Sequence, residues 1–343
     1  MRRYLPLLLI SFLLVVAAVA GTFLAGQASR QSPDNVKTIV VYASIPVDQA
    51  AALAQEFEKM AGVRVSIVPL ASADLLVKLK MEQTAPRADV VLAGIATLDA
   101  AKRSGFLAAY ASVQTDIIPT RFSEENDLWT GLWYDPIVFA ANRDFLKKLP
   151  QPPAKWADLP QAAGIRFVMT DFLAADEAAN LLYSMAAAKG EEETLAYMAK
   201  LHPAIAQYAK FLATPSRMTG LGEADIAITV QSEAVRYIND GFPLQIIVPA
   251  DGTAISITGA ALTAGAPQAA EAGRFIDWLT GDDAQKALMK NKVFVIPTHP
   301  ENAFAKDNNA RKIMPFPAKA VLSPDQKTKL LDKWVQTVRL SPR

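Results

Sequence analysis

From residue 37 onward, short apolar runs alternate with longer stretches in which apolar residues recur at helical spacing. "KTIVVYAS" and "ADVVLAG" contain continuous apolar runs, which is typical of strands that are covered on both faces. Between them, "PVDQAAALAQEFEKMAG" reads as a helix, and Gly62 predicts its carboxyl end. Strands that alternate with helices in such short units predict an α/β fold with a largely parallel sheet.

The same alternation returns in the second half, with "IRFVMTDF" and "DIAITV" as strands and helical stretches around them. Two extended passages, around 128–142 and 244–262, connect the two α/β sets. Paired crossings of this kind form a hinge, and closure around a ligand is the motion that they allow. We therefore predict two lobes, one of residues 37–132 with 253–343 and the other of residues 133–252.

The amino terminus has a different character from the rest of the chain. Arg2 and Arg3 precede a nearly unbroken apolar run over 5–24, and small residues at 18–20 or 26–28 offer cleavage triplets. This layout predicts a secretory signal peptide over residues 1–28 and a periplasmic protein. An uncleaved membrane anchor is the alternative, because about 20 apolar residues can span a bilayer.

Composition removes several classes of function. The 343 residues include no cysteine, which excludes a lipoprotein anchor, disulfides, thiolate metal sites and cysteine nucleophiles. The formal net charge of +1 gives no electrostatic case for nucleic acid. His202 and His299 both lie beside prolines, and no Ser-His-Asp set is recognisable, so we expect neither an enzyme nor a cofactor.

An ordered set of segments resembles the extracytoplasmic solute-binding proteins of ABC importers. Within that family, the chain is most similar to the branch that includes ferric-iron, phosphonate and sugar-phosphate binders. The segments that carry the resemblance are 40–68, 87–110, 129–144, 152–159, 216–289 and 297–300.

The resemblance implies a type II periplasmic-binding-protein fold. Each lobe would be a mixed, mostly parallel sheet flanked by helices, and two crossover strands would join the lobes. It also implies a monomer that traps a small polar solute between the lobes and delivers it to an ABC permease in the inner membrane. A membrane-anchored receptor that signals to a partner is the alternative, and so is a ferric-iron binder.

Candidate ligand contacts follow from where strands end. In open α/β sheets, ligands lie beyond the carboxyl ends of strands, where helix amino termini offer free N–H groups. The residues predicted at these junctions and in the first crossing are Ser44, Ile45, Gly94, Ile95, Tyr134, Asp171, Asp176, Thr214, Ser216, Arg217, Gln231 and Ser232.

Several of these residues also have a purely structural interpretation. Ser44 and Ser216 suit helix N-caps, and Gly94 suits a tight turn. Arg217 suits a solvated charge at a helix start, and Tyr134 suits packing in the hinge. Of the neighbours of Tyr134, we expect Trp133 in the core and Asp135 as the cap of a turn before a proline.

The chain departs from the iron binders after the strand "DIAITV". Those proteins typically carry an adjacent pair of tyrosines there, whereas this chain has Gln231, Ser232 and Glu233, with Tyr237 alone one helical turn later. Phenolate oxygens suit a hard ferric ion, and an amide and a hydroxyl do not replace them. The sequence therefore disfavours direct iron binding.

A second departure follows the strand at 165–169. Many anion-binding relatives carry a Ser-Gly-Thr-type segment there, whereas this chain has "AADE" at 174–177. Acidic residues in a first turn stabilise a helix through its dipole, and they also repel a phosphate. We expect a ligand with an amino group that pairs with Asp171 or Asp176. Arg217 would then hold an acid group, which suggests a zwitterion.

Overall fold

The computed structural model describes residues 36–309 and 313–342. In chain order, the strands are β1 (Thr38–Ala43), β2 (Arg64–Pro69), β3 (Val90–Gly94), β4 (Leu107–Ala108), β5 (Thr130–Asn142), β6 (Phe167–Thr170), β7 (Ile205–Ala209), β8 (Ile226–Val230), β9 (Leu244–Ile247), β10 (Ile255–Thr263) and β11 (Ile296–Pro297).

Helices fill most of the connections between these strands. The α-helices are α1 (Val47–Ala61), α2 (Ser72–Met81), α3 (Ile95–Arg103), α4 (Val113–Asp116), α5 (Arg143–Leu146), α6 (Asp176–Lys189), α7 (Glu191–Leu201), α8 (Ala213–Gly220), α9 (Gln231–Asn239), α10 (Ala269–Thr280), α11 (Asp282–Lys290), α12 (Ala303–Asn309) and α13 (Pro324–Trp334). Short 3-10 turns cover Thr120–Phe122, Trp156–Gln161 and His202–Ala204, and a π-helical turn covers Val335–Arg339. Gly62 ends α1 at a φ of 65°, as the sequence predicts.

The first sheet contains β1, β2 and β3 in parallel. β1 pairs with β2 on one side and with β3 on the other, and β10 runs antiparallel between β3 and β5. Val90 and Leu92 of β3 pack in the core that includes α1 and α10, whereas Val91 and Ala93 pack in the core that includes α2 and α3. Both faces of β3 are therefore covered, which is the reason for its continuous apolar sequence.

The second sheet has β6 in parallel between β7 and β8. β5 runs antiparallel to β8 on one side and to β9 on the other. Phe139, Trp156 and Phe167 are fully buried in its core, together with residues of α6 and α7. Parallel strands with antiparallel neighbours make each sheet mixed, as the family resemblance implies.

β5 belongs to both sheets. Residues 130–136 pair with β10 in the first sheet, and residues 137–142 pair with β8 and β9 in the second. β9 lies in the second sheet and β10 in the first, so the chain crosses back to the first sheet between β9 and β10. The two extended passages that the sequence predicts around 128–142 and 244–262 are confirmed.

The last helix packs in the core of the second sheet. A capping box of Ser323 and Gln326 starts α13, and Leu330, Trp334 and Val338 are buried with residues of β5, β6 and α6. The predicted lobe boundaries assign this segment to the lobe of the first sheet. These lobe boundaries stay a prediction. The packing of α13 favours placing this helix with the lobe of the second sheet instead.

The amino-terminal segment lies outside the described residues. The predicted signal peptide or anchor over 1–28 falls entirely within it. In the part of the chain that the structure covers, none of the helices has the length and apolar character that a bilayer crossing needs.

Candidate ligand-binding site

The carboxyl ends of β3 and β8, one strand from each sheet, lie in register with one short stretch of β5, residues 133–137, which we term the central segment. Gly94, the last residue of β3, pairs with Thr258 of β10, and Thr258 pairs with Trp133. Val230, the last residue of β8, pairs directly with Ile137. The four residue steps from Trp133 to Ile137 span only about 14 Å. The tip of β8 lies beside this stretch and the tip of β3 lies beyond β10, so the two tips are separated by about the size of a small molecule.

Each of these tips leads straight into a helix. Gly94 is the N-cap of α3 and Val230 is the N-cap of α9, and neither uses a side chain to cap its helix. The φ of Gly94 is −61°, which any residue adopts, so the tight-turn interpretation of this glycine is wrong. Two helix amino termini, with their free N–H groups, thus begin at the strand tips on either side of this segment.

Asp135 lies at the middle of the central segment. One carboxylate oxygen accepts the backbone N–H of Ser232 at 3.0 Å, and the other accepts the Ser232 hydroxyl at 2.5 Å. Asp135 therefore caps the start of α9 from a neighbouring strand, and the expectation that it caps a turn is wrong. Burial, opposed in part by the Ser232 hydrogen bonds, raises the pKa of Asp135 to about 7, so its charge changes near neutral pH.

Two further carboxyl groups act on Asp135. Glu177 in the first turn of α6 and Glu233 in the first turn of α9 both raise its pKa through repulsion between like charges. Burial raises the pKa of each of these glutamates as well, and Asp176 adds to the effect at Glu177. Arg236 offsets part of the charge, because its guanidinium lies 2.7 Å from the Glu233 carboxylate.

α6 contributes a neutral polar group to the same place. The side-chain amide of Asn180 donates to the carbonyl of Ile255 at 3.1 Å and to the hydroxyl of Ser256 at 3.3 Å. Ser256 is the β10 residue that pairs with Asp135. The central segment is thus bordered by amide, hydroxyl and carboxylate groups, which suit a small polar ligand.

Tyr134 and Trp133 belong mainly to the packing of the crossing. Trp133 is buried in the core of the first sheet, as expected. The ring of Tyr134 stacks on Phe122 with centroids 5.0 Å apart, and only 8% of the residue is exposed. Burial raises the pKa of Tyr134, so its phenol stays neutral at physiological pH.

The junction after β1 lies one strand further out. The backbone N–H of Ser44 donates to the carbonyl oxygen of Leu92 in β3. The Ser44 hydroxyl lies 2.8 Å from the Ser72 hydroxyl. Pro46, not Ser44, is the N-cap of α1, so the N-cap interpretation of Ser44 is wrong. Ile45 and Ile95 are half-buried against the cores of the first sheet.

Asp171 has a partner within the chain. Its carboxylate accepts the backbone N–H of Leu173 at 3.0 Å and the guanidinium of Arg339 at 2.8 Å, and Arg339 lies over the ring of Tyr208. This ion pair ties the carboxyl-terminal turn to the tip of β6. Asp171 is therefore less available to a ligand amino group than the sequence suggests. Asp176, the other predicted partner, is exposed at the start of α6.

The predicted ligand contacts that follow β7 lie in different environments. Ser216 is fully buried within α8, where its hydroxyl donates to that of Thr229 at 3.2 Å. It lies in the interior of the helix, so its N-cap interpretation is wrong. Thr214 is half-buried and Arg217 is exposed. At the start of α9, Gln231 is fully buried beside Ser232.

Sequence reasoning missed Asp135, Asn180, Glu233 and Ser256 as members of this site, and it noted Glu177 only as part of the acidic stretch 174–177. Asp135 had a usable signal, because it is the only charged residue in the otherwise apolar run "TGLWYDPIVFAAN". A carboxylate within a buried strand requires a partner or a function. Asn180, Glu233 and Ser256 stand in helices or strands of ordinary composition and give no comparable signal.

Comparison with known proteins assigns the family. The family model described as bacterial extracellular solute-binding protein matches residues 52–313, which is well over half of the chain.

The chain belongs to this family. The resemblance noted from the sequence is thereby confirmed, and this extracellular solute-binding protein can be compared with its relatives. A probable ABC transporter periplasmic-binding protein of Sinorhizobium fredii, y4fP, is 26% identical over 329 residues, which cover 91% of this chain and 88% of that protein.

Solved structures confirm the fold. The periplasmic binding protein AfuA of Actinobacillus pleuropneumoniae, with fructose-6-phosphate bound, is 25% identical and superposes with a TM-score of 0.71, covering 89% of this chain and 99% of AfuA. A ferric binding protein from Campylobacter jejuni is 20% identical with a TM-score of 0.65, covering 88% of this chain and 97% of that chain, and it supports the fold alone. The solute-binding protein therefore has the predicted type II periplasmic-binding-protein fold.

Proposed function

We propose that this protein captures a small polar solute at the central segment, between the tips of its two sheets, and delivers it to an ABC permease in the inner membrane. It would act in the periplasm after export through its amino-terminal segment. It would work as a monomeric binding protein rather than as an enzyme. Membership of the solute-binding family and the relationship to y4fP support this proposal.

One observation carries the choice of site, namely that β8 ends directly beside the central segment of β5 and β3 ends in register with it across β10. β5 passes from one sheet to the other there, and the 244–263 passage returns beside it. Bending within two such crossings would bring the amino termini of α3 and α9 together around a solute. Exclusion of water on closure would strengthen every polar contact that the solute makes.

The ferric-iron alternative has less support. Tyr134 is buried in a stack with Phe122, and the ring of Tyr237 lies under the guanidinium of Arg236 at 4.9 Å. Both phenols are therefore held by side chains of the chain itself. The relatives whose names refer to iron share at most 23% sequence identity with this chain. Their names describe what those proteins bind and are no evidence of iron binding by this chain.

The test begins with native mass spectrometry of the protein purified from its source, to identify the solute that it carries. Calorimetry then gives the dissociation constant of that solute, and solution scattering reports closure. A site variant, Gly94→Gln, would fill the space at the tip of β3 with a side chain. Within the described residues, the only atom less than 4 Å from a Cβ at Gly94 is the Ile257 carbonyl oxygen, at 3.9 Å, so the backbone there accommodates a side chain.

We expect Gly94→Gln to abolish solute binding while the melting temperature stays unchanged. Ala85→Gln, at an exposed position before β3 and therefore at the opposite end of that strand, is the matched control and should bind normally. Normal binding by Gly94→Gln would exclude the proposed site. The absence of any solute or solute-dependent closure in the unmodified protein would contradict the proposed function.

A further inference from the structure

The amino terminus of α9 is already occupied by a carboxylate of the same chain. Asp135 accepts both the N–H and the hydroxyl of Ser232, from a strand that lies 97 residues earlier in the sequence. Free N–H groups at a helix start are the donors with which proteins hold phosphate and carboxylate groups. At α9, Asp135 takes the N–H and the hydroxyl of Ser232 before any ligand arrives. On the β10 side, Asp135 faces the uncharged Ser256.

The charged groups around Asp135 reinforce this effect. α6 contributes Glu177, with Asp176 beside it, and α9 contributes Glu233. The positive group near Glu233 is Arg236, which lies 2.7 Å from the Glu233 carboxylate and is paired with it, whereas Lys189 stands at the far end of α6. An anionic ligand group placed here would meet several carboxylates and one cation that is already engaged.

We infer that Asp135 is a specificity-determining residue, which keeps anionic ligand groups away from the start of α9, so that the part of the solute seated there is neutral or cationic. The inference rests on the proposed function, because it concerns the solute that the protein would hold at the central segment. It distinguishes this chain from binding proteins that dock a phosphate on a free helix amino terminus.

Inorganic sulfate is a suitable probe, because it stays fully ionised across the neutral pH range. In the unmodified protein, the Asp135 carboxyl is mostly neutral at about pH 6 and mostly charged at about pH 8, since its pKa is about 7. We expect sulfate to bind more tightly at the lower pH, by up to about tenfold, because the neutral fraction of Asp135 falls about tenfold between the two pH values and Coulomb repulsion disfavours binding to the charged form. Calorimetry at constant ionic strength, balanced with chloride, measures the two constants.

Asp135→Asn removes the charge and keeps the geometry, because its amide can accept the Ser232 N–H and donate to the Ser232 hydroxyl. This variant should bind sulfate tightly at both pH values and lose the pH step. Asp283→Asn makes the same charge change in the first turn of the outer helix α11, where Asp283 is exposed. It should retain the weak, pH-dependent binding of the unmodified protein.

Two results would overturn the inference. One is an Asp135→Asn protein that is folded by circular dichroism yet binds sulfate no more tightly at about pH 8 than the unmodified protein does. The other, which needs no variant, is equal binding of sulfate by the unmodified protein at the two pH values. The proposed function is tested separately, because solute binding and its loss in Gly94→Gln are measured without sulfate.

Discussion

Trp334 anchors the carboxyl-terminal helix, and its removal gives the largest effect on stability that we predict. The side chain is fully buried, with ring centroids 4.6 Å from Phe172 and 5.7 Å from Tyr208. Replacement of a buried tryptophan by alanine costs about 3–5 kcal/mol, because burial is lost and a cavity remains. We expect Trp334→Ala to lower the free energy of unfolding by about 4 kcal/mol.

Trp334→Phe is the informative comparison. It keeps a ring against Phe172, and it removes an indole N–H that has no hydrogen-bond partner in the part of the chain that the structure describes. An unpaired buried donor is itself unfavourable, so this variant should lose only about 2 kcal/mol. Leu340→Ala, at a residue that is 73% exposed, should change stability by less than about 0.5 kcal/mol.

Urea unfolding, followed by far-ultraviolet circular dichroism, measures the three differences. Limited proteolysis adds a local measurement, because a released α13 should be trimmed first in Trp334→Ala. A loss below about 1 kcal/mol in Trp334→Ala, or equal losses in the alanine and phenylalanine variants, would refute the packing argument.

Three further predictions concern residues near the strand tips. Arg339→Ala should lower the free energy of unfolding by about 1 kcal/mol through loss of the ion pair with Asp171, with a smaller effect at high salt, as urea unfolding at two salt concentrations would show. Ser216→Ala should cost about 1 kcal/mol, because Thr229 loses its partner, yet it should leave the dissociation constant of the solute unchanged by calorimetry. Asp135 has a folded-state pKa of about 7, above its ordinary value near 4, so its contribution to stability falls as pH rises from about 4 to about 7. Thermal melts of Asp135→Asn across that pH window should show this decline removed, and an unchanged decline would contradict the raised pKa.

Local patterns in the sequence determined most of the secondary structure. The continuous apolar sequences of β1 and β3 predicted strands covered on both faces, and Gly62 predicted the end of α1. These features depend on neighbours within a few residues, because periodicity and φ angles are properties of a short stretch of chain. The ordered set of such segments was also enough to indicate the family.

The candidate site could be predicted only as a set of strand ends. Each parallel strand that leads into a helix offers the same kind of junction, so the sequence favours Ser44, Gly94 and Ser216 alike. The structure separates them, since Gly94 lies in register with the central segment across β10 and Ser216 is buried inside α8. Only the pairing of β10 and β8 with β5 decides which tips meet.

What the sequence by itself determined is the alternation of strands and helices, and with it the fold class and the family. Only the tertiary structure decided the partners of the charged groups. Asp135 caps a helix 97 residues later, and Asp171 pairs with Arg339 across 168 residues. Secondary structure follows from short-range periodicity, whereas the partner of a carboxylate depends on which distant segments the packed core brings within about 3 Å.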